Sequence, residues 1–418
     1  MLTQPSNKKS NDYCKALAQN DILRDTYLLF ISKNTDKSDI SALLEEVNKY
    51  GFELNHMFTD AIALSQHNTP LTDSIRYWRQ NTLMKTHHQF NCWLLLDLNP
   101  IPLTKVQASL FPKIDNGRIL YLASAIRKKL TQINAKNISC FTSISNHVTQ
   151  KILAEAPFSS TLLQVNHTVE GKRAAFTTPY IPLFSIYQYS FSAKIELIYC
   201  NDRPYVLKTF RPSCKKHLQN ELIAYQNLAK IIPEIPKLFD YGENYLVIPY
   251  YPAQKVFNFS GLALLDINKA KKMFDILRKF YDAGYALIDS HPKNFLYDID
   301  NNIKIIDFEY LFKYQEKPKS YHQSIDIQGY EDKFLGLAPA DHAHYITRWQ
   351  PYIGLSYNDL TNGNHFAQQI KRGLFWFINR FPKYCLRVTY KQYKYYVSLT
   401  LKLLYKLKLN PPTIKMKP

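Results

Sequence analysis

A chain of 418 residues is long enough for two or three domains and more than one hydrophobic core. Its hydrophobic share of 46% fits a globular protein, and its six cysteines form no CxxC pair and no zinc-like spacing, which excludes a disulfide scaffold and points to a reducing compartment. The net charge of +19 is uneven, being concentrated toward the C-terminus, and a block of that kind meets anionic surfaces.

Residues 1–12 are polar, lack the apolar centre of a signal peptide and read as disordered. No uninterrupted apolar run approaches the ~20 residues of a membrane-spanning helix, so a cytoplasmic protein is expected. The stretch "YLLFISKNTDKSDISALLEEVNKYGFEL" predicts strand, helix, strand, with Ile40, Leu43, Leu44 and Val47 at helical spacing and Gly51 as a helix stop. "CWLLLDL" predicts a buried strand and "ILYLASAIRKKLTQI" an amphipathic helix. Together these predict an N-terminal α+β domain over residues 13–165.

The texture changes near residue 178. "IPLFSIYQYS", "KIELIYC" and "RPYVLKTF" are strand-like, the last two joined by a turn at Asn201-Asp202. "CKKHLQNELIAYQNLAKI" predicts a helix, and "KLFDYGENYLVIPYY" a hairpin around Gly242-Glu243-Asn244. "DINKAKKMFDILRKFYDAG" predicts a helix with an Asp cap and Gly284 at its end.

The segment "LIDSHPKNFLYDIDNNIKIIDFEY" then sets Asp289, Asn294 and Asp307 at the edges of two short apolar strands. Strands anchored in a core would aim these three side chains into one cleft. Mg²⁺ takes hard oxygen ligands and keeps waters and phosphate oxygens for the rest of its shell. One Asp and one Asn on the metal, with a second Asp free to accept a proton, suffice for phosphoryl transfer, which rests on positioning and charge neutralisation.

Here the chain resembles the protein-kinase-like superfamily, through a D-x-x-x-x-N loop followed by a D-F-x metal motif. "DSHPKN" resembles the D-x-H-P-x-N loop of aminoglycoside phosphotransferase-like small-molecule kinases, and "IDFEY" is similar to the motif of choline and ethanolamine kinases. Lipopolysaccharide-core sugar kinases share the same compact architecture. The resemblance covers residues 178–345. It implies an α+β, two-lobed kinase-like fold, with an N-lobe over 178–251 and a C-lobe over 252–365, and it implies ATP and Mg as cofactors. By the same resemblance, Asp289 would orient or deprotonate the acceptor hydroxyl, Asn294 and Asp307 would hold Mg²⁺, and His291 would lie near the γ-phosphate. Lys208 in "YVLKTF" would pair with phosphate and with Glu221 on the following helix. Pro249, Tyr250 and Tyr251 would border the adenine pocket. The chain departs from the pattern at three places: "YSFSAKIEL" has no Gly where a Gly-rich phosphate loop is expected, Leu287 takes the place of the usual loop His, and Glu309 that of the Gly in D-F-G.

From Phe366 to Pro418 the cations Lys371, Arg372, Arg380, Lys383, Arg387, Lys391, Lys394, Lys402, Lys406, Lys408, Lys415 and Lys417 alternate with aromatic and aliphatic residues, and there is no acid. A basic amphipathic helix over 366–418 suits an anionic membrane interface, each basic side chain adding ~1 kcal/mol. The alternative is a helical cap on the kinase lobe with a solvated basic face. Basic residues with interleaved aromatics also describe nucleic-acid binders, but no nucleic-acid module accompanies them. In the N-terminal domain the opening strand and helix are faintly similar to nucleoside diphosphate kinase-like folds, with Lys33 and His147 in the corresponding roles; core or surface roles are expected for both.

The sequence therefore predicts a kinase for a hydroxyl on a small molecule or a membrane glycolipid, such as the lipopolysaccharide core. Two alternatives stay open: a pseudokinase or nucleotide-binding scaffold at the membrane surface, and an atypical protein kinase.

Overall fold

In the computed structural model, residues 23–63, 74, 89–133, 138–154, 162–187, 190–252, 263–330, 334, 336–339, 344–382, 384–386, 388–389 and 392 are described. They form a mixed α+β structure with several sheets, divided into one unit of residues 1–223 and 237–250 and another of 224–236 and 251–418. The disorder expected over 1–12, and the tail beyond residue 392, lie outside the described residues.

In the first unit, β1 (Thr26–Ser32), β2 (Phe52–Ala63), β3 (Gln89–Asp97) and β4 (Cys140–Thr142) form an antiparallel sheet of order β2-β3-β1-β4. All seven residues of β1 are buried, as its unbroken apolar run requires of a central strand covered on both faces. The helices Lys37–Lys49 and Gly117–Gln132 bury Leu43 and Val47, and Ile119, Leu122 and Ile126, in the same core. Phe30 and Phe141 stack within it at 4.8 Å. Gly51 ends the first helix at φ 92°, and a Cβ there would lie 2.5 Å from the Arg118 guanidinium. Both the left-handed backbone and the close approach call for glycine.

The same unit holds β5 (Phe184–Tyr187), β6 (Ala193–Cys200), β7 (Arg203–Phe210), β8 (Asp240–Tyr241) and β9 (Tyr245–Pro249), an antiparallel sheet of order β5-β6-β7-β9-β8. Asn201 and Asp202 both have positive φ (48° and 58°), the geometry of a tight two-residue hairpin turn. The helix Lys215–Gln226 follows β7. The succession strand, strand, strand, helix, strand, strand is the one read from the sequence. The N-terminal sheet, expected to stand as a domain of its own, shares this unit with the five-stranded sheet. Buried polar contacts join them: Arg211 Nη1 lies 3.1 Å from Glu53 Oε1, and the Ser213 hydroxyl donates to the same carboxylate.

In the second unit the helix Ile267–Asp282 is capped by Asp266, whose Oδ1 accepts from the N–H groups of Asn268 and Lys269 at 3.0 Å each. Ala270, Met273, Phe274, Leu277, Phe280 and Tyr281 form its buried face at helical spacing, and Gly284 ends it at φ 85°. β10 (Tyr285–Leu287) pairs with Leu311–Lys313, and β11 (Phe295–Tyr297) with β12 (Ile303–Ile305). Trp349 is fully buried and packs its ring against Phe274 at 4.5 Å and Phe295 at 5.8 Å.

The helix His365–Phe375 continues through Trp376–Arg380. Three of the tail's cations are engaged by the preceding chain: Lys371 with Asp359, Arg372 with the Leu265 carbonyl at 2.8 Å, and Arg380 with the Pro351 carbonyl at 2.5 Å. Alongside the polar His365, Gln369, Lys371 and Asn379, this helix exposes Phe366, Ile370, Leu374, Phe377 and Ile378, each more than half exposed. Among the described residues, no helix is long and apolar enough to cross a membrane.

Candidate functional site

Each of the two units carries part of the predicted set. In the first, Lys208 sits on β7, opposite Ile195 of β6 and Leu246 of β9. Its Nζ lies 2.5 Å from Glu221 Oε1, and the two side chains are 5% and 0% exposed. A central strand and the helix behind it thus present an ammonium and a carboxylate to each other out of solvent. In such a place removing one partner leaves the other charge uncompensated. Pro249 closes β9 opposite Tyr205, and the Tyr250 N–H donates to the Pro204 carbonyl at 3.3 Å, so the strand edge continues one residue past the sheet. Tyr251 is the first residue of the second unit's long segment, and burial followed by the charge of Asp298 pushes its hydroxyl up to about 12.

The Gly-free loop before β6 needs no glycine. Among the described residues none between Ser190 and Ala193 has positive φ. From Ser190 to Ser192 each carbonyl is engaged: that of Ser190 accepts from Arg118 Nη2 at 2.9 Å, that of Phe191 from Arg211 Nε at 2.6 Å, and that of Ser192 from the Arg211 N–H at 3.0 Å.

In the second unit the structure brings Asp289, Asn294 and Asp307 to one end of the β11–β12 hairpin. Residues Pro292–Asn294 form a 3₁₀ turn, the Asn294 side-chain amide donates to the Asp289 carbonyl at 3.2 Å, and the Ile306 N–H donates to the Asn294 carbonyl at 2.9 Å. Asp307 follows at φ 75°, a conformation that L residues adopt at a cost and that Asp tolerates better than most. Glu309, 8% exposed, offers a carboxylate oxygen within 4.8 Å of that of Asp307. The donor set of amide oxygen and carboxylates is of the hard type that Mg²⁺ selects, so the residues present fit the implied metal.

Asp289 is 30% exposed and forms an ion pair with Arg348 at 2.8 Å. His291 is buried, packs against Tyr352 at 4.9 Å, and accepts from the Lys293 N–H at Nδ1, 3.0 Å. Burial first, then the charges of Lys293 and Arg348, push its pKa down to about 3. The ring is therefore neutral with its proton on Nε2, a hydrogen-bond donor rather than a cation. Ser290 accepts from Trp349 Nε1 at 3.2 Å, which fixes the loop to the core. Asp326, wholly buried, accepts from the Leu287 N–H at 2.9 Å, two residues before Asp289, and burial pushes its carboxyl up to about 7.

Sequence reasoning missed Arg348, Asp326 and the loop-holding pair Arg118 and Arg211. Each acts across a long interval of chain and stands in no local pattern. An open cavity of about 590 Å³ lined by Arg278, Tyr321 and Tyr357 includes none of the predicted site residues. No protein-family model matches the chain, and no curated protein matches it.

Proposed function

We propose that the chain is an ATP- and Mg-dependent phosphotransferase of two-lobed, protein-kinase-like fold, acting on a hydroxyl of a non-protein acceptor. The acceptor that fits best is a sugar of a membrane glycolipid such as the lipopolysaccharide core. The observation that carries this reading is the buried Lys208–Glu221 pair, joining the third strand of an antiparallel sheet to the helix that follows it. In this reading Lys208 binds nucleotide phosphate and Glu221 orients it, with Pro249, Tyr250 and Tyr251 along the adenine. Asn294 and Asp307 hold Mg²⁺, which neutralises phosphate oxygens when bound. Glu309 adds a third oxygen ligand. Asp289 receives the acceptor's proton, and Arg348 sets the rotamer of that carboxylate. His291, as a neutral donor, hydrogen-bonds a phosphate oxygen without adding charge.

The exposed apolar face of the helix His365–Phe375, with the basic chain that follows it, supports association with the inner face of an anionic membrane. A pseudokinase is the second reading, favoured by the glycine-free loop. Comparing membrane glycolipids by mass spectrometry, with and without the gene, tests the proposal. Loss of one phosphate from a core sugar is expected in the deletion. An unchanged glycolipid profile, with no turnover of MgATP by the purified chain above a Lys208→Ala control, would overturn it.

A further inference from the structure

We propose that the N-terminal sheet serves the loop before β6: Arg118 and Arg211 are positioning residues that hold its carbonyls inward, so that the Phe191 N–H faces a nucleotide's phosphates. This inference rests on the phosphotransferase reading.

A phosphate-binding loop has to turn backbone N–H groups toward the anion and keep carbonyl oxygens away from it. Glycine-rich loops do this by adopting conformations closed to other residues, at an entropic cost. Here the same result comes from outside the loop. The carbonyls of Ser190 and Phe191 point at Arg118 Nη2 (2.9 Å) and Arg211 Nε (2.6 Å). In a trans peptide the N–H lies opposite the C=O, so the N–H of Phe191 is on the far side from Arg118. The carbonyl of Ser192 is held by the Arg211 N–H and the N–H of Ala193 donates to Ser190 Oγ at 3.3 Å, which closes the turn.

The two guanidinium groups are themselves fixed by the N-terminal sheet. Arg118 is 1% exposed and binds Asp97 Oδ2 at 3.1 Å and the Asn99 carbonyl at 2.9 Å. Arg211 binds Glu53 Oε1 at 3.1 Å and the Asn48 carbonyl at 3.0 Å. Each arginine is thus paired with a buried carboxylate, Asp97 for Arg118 and Glu53, which Lys172 also reaches at 3.3 Å, for Arg211. The Phe191 ring lies 5.2 Å from the Arg118 guanidinium and 5.4 Å from the Tyr50 ring, so the loop's own side chain is the peg that docks it. The N-terminal sheet thereby takes over the role of the missing glycines, which accounts for its sharing one unit with the five-stranded sheet.

Phe191→Gly separates this account from its opposite. If the loop lacks glycine as a defect, adding one tightens MgATP binding. If the arginines order it, removing the peg loosens the loop and weakens MgATP binding about tenfold, the loss of roughly one charge-assisted contact. Calorimetric titration of the full chain with MgATP reads this. Arg118→Lys, which keeps the charge opposite Asp97 but cannot span two acceptors, is expected to weaken binding less than Phe191→Gly. Amide hydrogen exchange without nucleotide gives an independent readout: the Ala193 and Arg211 amides exchange faster in both variants, while the rest of the unit does not change. Unchanged or tighter MgATP binding in Phe191→Gly would overturn the inference, as would unaltered exchange at those two amides. A native chain that binds no MgATP would instead defeat the phosphotransferase reading, and the exchange result would still decide whether the arginines hold the loop.

Discussion

Replacing Lys208 by Met removes the ammonium from a pair 2.5 Å apart and leaves the Glu221 carboxylate, 0% exposed, without its cation. Breaking one side of a buried ion pair destabilises a protein by about 3–5 kcal/mol, whereas replacing both partners with apolar groups of similar volume is near neutral or stabilising. Lys208→Met should therefore lower unfolding free energy by about 3–5 kcal/mol, and the double variant Lys208→Met/Glu221→Leu should recover most of that loss. Urea unfolding followed by far-ultraviolet circular dichroism measures both, provided the m-value is unchanged. Activity should behave differently: phosphate transfer is lost in the single variant and stays lost in the double one, because restoring the packing does not restore a phosphate ligand. A single variant losing less than about 1 kcal/mol would mean the pair behaves as a surface ion pair, and the reasoning from burial would fail. A double variant that regained transfer would remove Lys208 from the chemistry.

Asp326 predicts a pH dependence of stability. Its carboxyl, raised from 3.8 to about 7, binds a proton more tightly in the native than in the unfolded state, so stability falls as pH rises through that interval, by ~4 kcal/mol in all, and then levels off. Asp326→Asn keeps an acceptor for the Leu287 N–H, and should flatten this dependence and be the more stable protein at pH 8; equal urea midpoints for the native chain at pH 5 and pH 8 would contradict the assignment. His291, held to about 3, should show no ring titration by NMR between pH 5 and pH 8, and a midpoint near 6.5 would show that its ring is solvated. Leu374→Asp combined with Phe377→Asp should reduce co-sedimentation with anionic lipid vesicles several-fold while leaving MgATP affinity unchanged, because both side chains are exposed. Binding that is unaltered would transfer the membrane contact to another part of the chain.

The pieces of the candidate site that the sequence offered are local. Lys208 and Glu221 are 13 positions apart on a strand and the next helix, and Asp289, Asn294 and Asp307 border two short apolar runs that the structure pairs as β11 and β12. Turn chemistry was equally local: Asn201-Asp202 and Gly284 announced themselves by residue type. The contacts that escaped join distant stretches. Glu53 and Arg211 are 158 positions apart, and Arg118 reaches Ser190 across 72, so no window of sequence contains both ends of either contact. The partners of the tail's first cations were hidden for a related reason. Charge count says that Lys371, Arg372 and Arg380 are positive, but not that carbonyls and a carboxylate of the preceding chain are placed to receive them. Nor does residue type show that Asp307 takes a left-handed backbone or that the Glu309 carboxylate lies beside it.

The central claim is that Asp289 receives the proton of an acceptor hydroxyl while ATP supplies the phosphoryl group. The direct measurement is transfer of radiolabel from the γ-position of MgATP to extracted membrane glycolipid, by the native chain and by Asp289→Ala, with MgATP affinity measured on both. The account predicts labelled glycolipid from the native chain, none above background from the variant, and equal nucleotide affinity. Equal labelling by the two proteins would contradict it.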